Sequence, residues 1–211
     1  MKAVMLSIRP EWCEKILSGK KTVEIRKSRP MLEVPFKCYI YCTSGSPTIW
    51  KDGEKILKGS SNYEWLVHTP DMLNGKVIGE FVCDEIVYLG NVSTDPWRRL
   101  CGAVHEHNKM IVTKRALLTE TELHNYANGK FLYAWHISDL VIYDKPQPVN
   151  FFCSEGDCDC MNCRECPWYE RGNGYNVEDD CGLVYEYLGS GKTLKPLFRP
   201  PQSWCYVEDL T

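Results

Sequence analysis

The sequence has no run of about 18 apolar residues that could cross a bilayer as a helix, and it shows no internal repeat and no low-complexity tract. These absences leave out a helical membrane span and a repeat array. The opening residues Met1-Lys2-Ala3-Val4-Met5-Leu6 lack the long apolar region of a secretory signal, so the expected location is the cytoplasm. Neither charge is in large excess, the net being -3. Such a balance permits a nucleic-acid partner without requiring one.

The mean charge hides an asymmetry. Between Cys153 and Cys181 eight acids face two bases, a local charge of -6, which leaves +3 on the remainder. The first 37 residues hold nine bases and four acids. This end is the side expected to meet phosphate.

Cysteine is the residue in surplus, with 12 in 211 positions, unevenly placed. Cys13, Cys38, Cys42, Cys83 and Cys101 stand singly in apolar surroundings and read as small buried hydrophobes. Five more fall between Cys153 and Cys166, and Cys181 follows. Clustering in a chain expected to be cytoplasmic favours metal over disulfides.

Residues 1–8 alternate as a strand does. Pro10 then suits the first turn of a helix, Cys13, Ile16 and Leu17 recur at helical spacing, and Gly19 fits just past the helix end. In the strand that follows, Thr22, Glu24 and Arg26 share one face and Val23 and Ile25 the other. The direction of Lys21, at the turn, cannot be read from alternation.

Residues 37–43 predict a strand buried on both faces, and residues 48–74 a polar excursion with at most one short helix. Residues 76–89 predict a long strand in which Gly79 marks a bulge or a close approach. Residues 91–114 show no firm periodicity. Thr119 and Glu122 form a capping-box pattern ahead of Leu123, Tyr126 and Ala127, and Gly129 closes that helix. Residues 131–143 are strand material broken near Ser138-Asp139 and ended by Pro146 and Pro148, and a last strand covers residues 204–207. Many short strands with two clear helices predict an α+β fold, a small mixed β-barrel with helical plugs.

The stretch from Gly19 to Arg26 gathers two lysines, a carboxylate and an arginine. Together they can grip a small anionic or base-like ligand; the alternative is a solvated edge strand. Gly19, Lys21, Glu24 and Arg26 stand as G-x-K-x-x-E-x-R, which resembles the signature of the ASCH domain, a branch of the PUA-like β-barrels. Its context includes Leu6 to Trp12, Gly79-Glu80-Phe81, Ala134 to Leu140 and Arg199 to Val207. This set resembles the ASCH proteins of phages and prophages in Gram-positive bacteria. The resemblance covers residues 1–150 and 196–211 as a PUA-like barrel and leaves residues 151–195 as a Cys-rich insertion.

The resemblance implies a pocket that binds RNA or a nucleobase. One branch of the family removes the acetyl group of N4-acetylcytidine with the motif lysine, a threonine and a later glutamate. Here the lysine is Lys21, but Glu24 stands where that branch has threonine, and neither Glu106 nor Glu120 sits in a matching motif. If this chain is an amidohydrolase or a ribonuclease, Lys21 and Glu24 are the catalytic candidates.

For a nucleotide or RNA, phosphate wants Arg or Lys, while a base wants a flat partner and edge hydrogen bonds. The binding candidates are Ser7, Arg9, Lys21, Glu24, Arg26 and Arg29, joined by the loop of Gln202, Ser203 and Trp204. Trp12 and Trp135 could also stack but read first as core, and Glu24 is equally explained as a neutraliser of Arg26. His136 reads as a hydrogen-bonded core residue. His105-Glu106-His107 reads as a polar loop, since alternate residues in a loop share no enforced geometry.

In the Cys-rich stretch, four of Cys153, Cys158, Cys160, Cys163, Cys166 and Cys181 could hold a structural zinc, with Cys163 and Cys166 as the best knuckle. An iron-sulfur cluster is the lesser alternative, because a fourth ligand at the expected spacing is missing. A reduced, unstructured loop is the third. Few aliphatic residues are present to hold the segment together without metal. Its acidity also makes it a candidate surface for a protein partner. No membrane partner is expected.

Overall fold

A computed structural model describes residues 1–44, 48–51, 54–57, 73–91, 106–155, 194–197 and 199–209. The cysteines from Cys158 to Cys181, together with Cys101 and His105, lie outside the described residues.

The chain opens with β1 (Lys2–Ile8) and α1 (Pro10–Leu17), followed by β2 (Val23–Arg26) and β3 (Phe36–Cys42). β1 runs parallel to β3, the two joined by a crossover that contains α1 and β2. Pro10 occupies the first turn of α1, where its missing N–H leaves no bond unmade. Gly19 takes a φ of 70°, the left-handed turn that lets the chain leave the helix and start β2.

Two stretches of strand pass between sheets, the first read from the sequence as one strand and the second as broken near Ser138-Asp139. β6 (Lys76–Cys83) pairs with β3 in a five-stranded sheet, whereas β7 (Ile86–Asn91) begins after only Asp84 and Glu85 and belongs to a three-stranded one. β8 (Phe131–His136) and β9 (Ser138–Pro148) make the same passage at Ile137, with Asp139 at a φ of 45°. With β12 (Trp204–Glu208), the sheets are ordered β12-β1-β3-β6-β9 and β2-β8-β7. Among the described residues no ladder closes these sheets on each other. The expected barrel is therefore a pair of sheets joined at a corner, because the passing strands turn sharply rather than pairing through.

Residues 48–57 correct another expectation. In place of a polar excursion they carry an antiparallel pair, β4 (Thr48–Lys51) and β5 (Glu54–Leu57). Pro146 does not end its strand, which runs on to Pro148 as its last residue. β9 is the edge of its sheet, where a missing N–H need not break a ladder. Gly79 is a true close approach, since a Cβ there would sit 2.4 Å from the Val141 carbonyl oxygen.

β3 is buried almost throughout, as its sequence predicts. One core lies between α1 and the five-stranded sheet and includes Leu6, Ile16, Ile40, Phe81 and Trp135. A second packs Val23, Ile25, Leu132 and Ala134 against α2 (Glu106–Ala116) and α3 (Glu120–Ala127). The capping box on α3 forms as expected, with the Glu122 N–H donating to Thr119 Oγ1 at 3.2 Å and the Thr119 N–H to Glu122 Oε2 at 2.7 Å. Cys13, Cys38, Cys42 and Cys83 are buried free thiols.

After the 3₁₀ turn Val149–Phe151 come β10 (Cys153–Glu155) and, far along the chain, β11 (Leu194–Pro196). The two pair antiparallel, so the stretch between them leaves and returns at neighbouring points. No helix among the described residues is long and apolar enough to cross a membrane.

Candidate functional site

Alternation on β2 sends Val23 and Ile25 into the second core. Glu24 and Arg26 take the other face, as the sequence predicts. Lys21 joins them. Its backbone N–H donates to the Lys15 carbonyl at 2.9 Å, which turns the chain back on α1 and brings the side chain to the same side.

The three form a buried charged row. Lys21 Nζ lies 3.4 Å from Glu24 Oε2, and Arg26 Nη2 lies 3.1 Å from Glu24 Oε1. Relative exposures are 2% for Lys21, 8% for Glu24 and 5% for Arg26, which rules out the solvated-strand reading. Burial lowers the pKa of Lys21, and the nearby Glu24 carboxylate opposes that shift.

Most of the donors in this row are already committed. Lys21 Nζ donates to the Ala116 carbonyl at 2.9 Å, at the end of α2. Arg26 Nη2 donates to the Ser7 carbonyl at 2.9 Å, and Nη1 to the Ser203 carbonyl at 3.2 Å and its Oγ at 3.3 Å. Arg26 Nε is buried without a partner among the described residues. Arg26 thus acts as a clamp on β1, Glu24 and the residue 202–204 loop, whereas the sequence cast it as a phosphate ligand. Lys21 retains one N–H, and Glu24 retains lone pairs toward the cavity.

The row forms part of the wall of a cavity of about 620 Å³, within the usual size for a small-molecule site. Ser7, Arg9, Lys21, Glu24, Arg26, Gln202 and Ser203 all line it. Ser7 Oγ donates to the Pro201 carbonyl, which seats the loop. Arg9 is largely exposed, 3.9 Å from Glu11. Trp204 and Arg29 are not among the lining residues. The Trp204 ring rests on Trp135, with centroids 6.1 Å apart, and its Nε1 donates to Ser28 at 2.9 Å, so it props the loop.

Trp12 and Tyr126 are the aromatic walls. Lys15 and Lys21 place their ammonium groups 4.2 and 4.9 Å from the centre of the Trp12 ring, and Lys27 lies 4.8 Å from that of Tyr126. Tyr126 was legible only as a helix-face residue, because its role depends on how α3 docks. Lys27, which the sequence places as an extension of the positive surface, also lines the cavity, as do Ile8, Ile25, Ser28, Thr43, Leu118 and Glu122, which carried no sequence signal of it.

His136 sits at the sheet corner, its Nδ1 2.6 Å from Asp84 Oδ1. Among the described residues no group of three or more His, Cys, Asp or Glu side chains could hold a metal ion.

No curated protein matches the chain. Among solved structures, that of ASCH from Zymomonas mobilis aligns at 17% identity over 98% of this chain and 87% of its own, with a TM-score of 0.48. A serine-to-alanine mutant of that protein aligns at 17% identity over 98% and 88%, again at 0.48. The family comparison falls on the part of the chain that supplies Ser7, Arg9, Lys21, Glu24 and Arg26: residues 6–106 match the model of the ASCH domain family.

Proposed function

We propose that the protein binds RNA or a modified nucleotide in the cavity beside Lys21, Glu24 and Arg26. ASCH domains are PUA-like and commonly linked to RNA binding, which supports the reading. The observation that carries it is the buried charged row set between two aromatic side chains. Glu24 offers an acceptor to an exocyclic amine, Lys21 a donor to a carbonyl or phosphate, and Trp12 and Tyr126 flat faces for a base. Titration of the four ribonucleosides, N4-acetylcytidine and short single-stranded RNA, followed by fluorescence or calorimetry, tests it. Loss of binding on Lys21→Ala is expected, and unchanged affinity would sink the assignment.

A hydrolase is the second reading, favoured by one feature. The lowered pKa of Lys21 enlarges the neutral fraction that can act as nucleophile or base, and Glu24 at 3.4 Å can pass a proton. Turnover of N4-acetylcytidine or of RNA by the purified protein, abolished by Lys21→Ala, would establish it.

For residues 151–195 we propose a structural zinc on four of the six cysteines from Cys153 to Cys181. Elemental analysis for zinc and iron tests this. The acidic charge there also suits a basic protein partner, and a pull-down lost on deleting residues 156–193 is the expected sign.

A further inference from the structure

The face of the three-stranded sheet that carries Glu24 and Arg26 does not end at the cavity. Residues paired directly across strands project to the same side. Glu24 pairs with Trp135, Arg26 with Tyr133, and Tyr133 in turn with Tyr88. Alternation along β8 adds Phe131 to this face. Trp135 is fully buried, but the rings beyond it come progressively to the surface. Tyr88 is 42% exposed and Phe131 49%.

Of these three outer rings, that of Tyr88 touches the other two. The Tyr88 centroid lies 5.4 Å from that of Tyr133 and 5.8 Å from that of Phe131, with interplanar angles of 48° and 45°. Neither phenol has a hydrogen-bond partner among the described residues. An exposed aromatic run of this kind is out of keeping with an ordinary outer sheet surface, where polar residues alternate with buried ones.

Charge selects among the occupants. β2 runs antiparallel to β8, so the chain past Arg26 travels toward the Phe131 end and carries the exposed Arg29. Lys130 is exposed beside Phe131. The exposed acids Asp84 and Glu85 lie at the opposite end of the strands, beside His136. Rings flanked by cations and continuous with a charged pocket suit a chain of flat bases on a phosphate backbone.

We infer that Tyr133, Tyr88 and Phe131 form a stacking platform for single-stranded RNA whose neighbouring nucleotide occupies the cavity. This rests on the binding reading above. It makes the protein a reader of a nucleotide within a strand rather than of a free nucleoside.

The test compares a mixed-sequence single-stranded RNA of about ten nucleotides with the four ribonucleoside monophosphates. Both are titrated into wild type, Lys21→Ala, a Tyr88→Ser/Phe131→Ser pair, and a Tyr88→Leu/Phe131→Leu pair that keeps apolar bulk without rings. Both ring-free pairs should bind the oligonucleotide roughly tenfold or more weakly while holding monophosphates as wild type does. Lys21→Ala should weaken both ligands. Wild-type affinity for the oligonucleotide in either folded ring-free pair overturns the platform and leaves the pocket standing. Unchanged monophosphate binding by Lys21→Ala overturns the pocket reading instead. Sedimentation covers the other occupant: self-association lost in the ring-free pairs with RNA binding intact makes this face a contact between copies and overturns the proposal.

Discussion

Arg26 and Ser203, 177 positions apart, meet through two contacts, from Nη1 to the carbonyl oxygen at 3.2 Å and to Oγ at 3.3 Å. The pair joins the early strand β2 to the loop before the last strand. With Ser7, whose carbonyl takes the other terminal nitrogen, it makes one cavity wall from both ends of the chain.

If Arg26 is a clamp, Arg26→Ala should act on stability before ligand. It leaves the Glu24 carboxylate with one buried cation and frees the loop, a loss of about 3–5 kcal/mol in urea unfolding. The conservative Arg26→Lys cannot reproduce the fork and should recover little of it. The salt dependence of RNA binding by a folded Arg26→Gln protein, which lacks the charge, should match wild type. A slope smaller by about one in the log-log plot would mean that the side chain meets phosphate after all.

Glu24→Gln keeps the shape of the side chain and removes the charge that sits between two buried cations. A loss of stability of about 3–5 kcal/mol is expected. Double-mutant cycles with Lys21→Met should show coupling well above 0.5 kcal/mol in magnitude, about the scatter of independent sites, and additivity would contradict the observed contact.

The pH dependence follows from Lys21. Its folded pKa is depressed by burial below the ordinary 10.5, so between the two values the unfolded chain binds more protons. The contribution of this group to stability is therefore lowest at and below the depressed value and rises as the pH climbs toward 10.5. The thiols of Cys13, Cys38 and Cys83, raised by burial from 9.0, and in the case of Cys83 to about 12, act in the opposite sense at alkaline pH. They are common to wild type and Lys21→Met, so the difference between the two unfolding curves isolates the lysine. That difference should shift in favour of wild type as the pH rises, and a flat difference would rule out a depressed pKa.

The same thiols make a labelling prediction. Cys13, Cys38 and Cys83 are buried and hard to ionise, so iodoacetamide at pH 8 should leave their peptides unmodified until denaturant is added. Peptide mass mapping reads the result, and rapid native labelling at any of the three would contradict the packing.

Gly79→Ala should destabilise the five-stranded sheet, because the added Cβ meets backbone and not a side chain that can move aside. A cost of about 1–3 kcal/mol is expected. A wild-type unfolding midpoint would show that β6 and β9 can separate there without penalty.

Local chemistry in the sequence located much of this site, and tertiary docking supplied the rest. Alternation placed Glu24 and Arg26 on one face, and Pro10, Gly19 and the Thr119–Glu122 pair marked helix ends correctly, since each acts within a few residues. Lys21 could not be oriented, because its direction follows from a turn bonded to Lys15 and from the Ala116 carbonyl. α2 went unnoticed for lack of a repeating apolar face. Tyr126 was invisible as a lining residue, since only the docking of α3 brings it to the cavity. The barrel expectation failed at Asp84–Glu85, where a strand that reads as continuous turns between sheets, and at Ile137, beside the break that the sequence places near Ser138-Asp139.

Those two turns lie side by side, linked by the His136 N–H, which donates to the Glu85 carbonyl at 2.9 Å. A corner crossed by two covalent strands and a cross-bond behaves as a stiff bracket. Opening the sheets like a book would have to strain both strands at once, so the cavity cannot widen by hinging along this seam. Discrimination between ligands is then a matter of fit to a set shape, and the segment free to adjust is α3 with Tyr126, which crosses no seam, since the loop of Gln202 and Ser203 is held by Arg26 and Ser7.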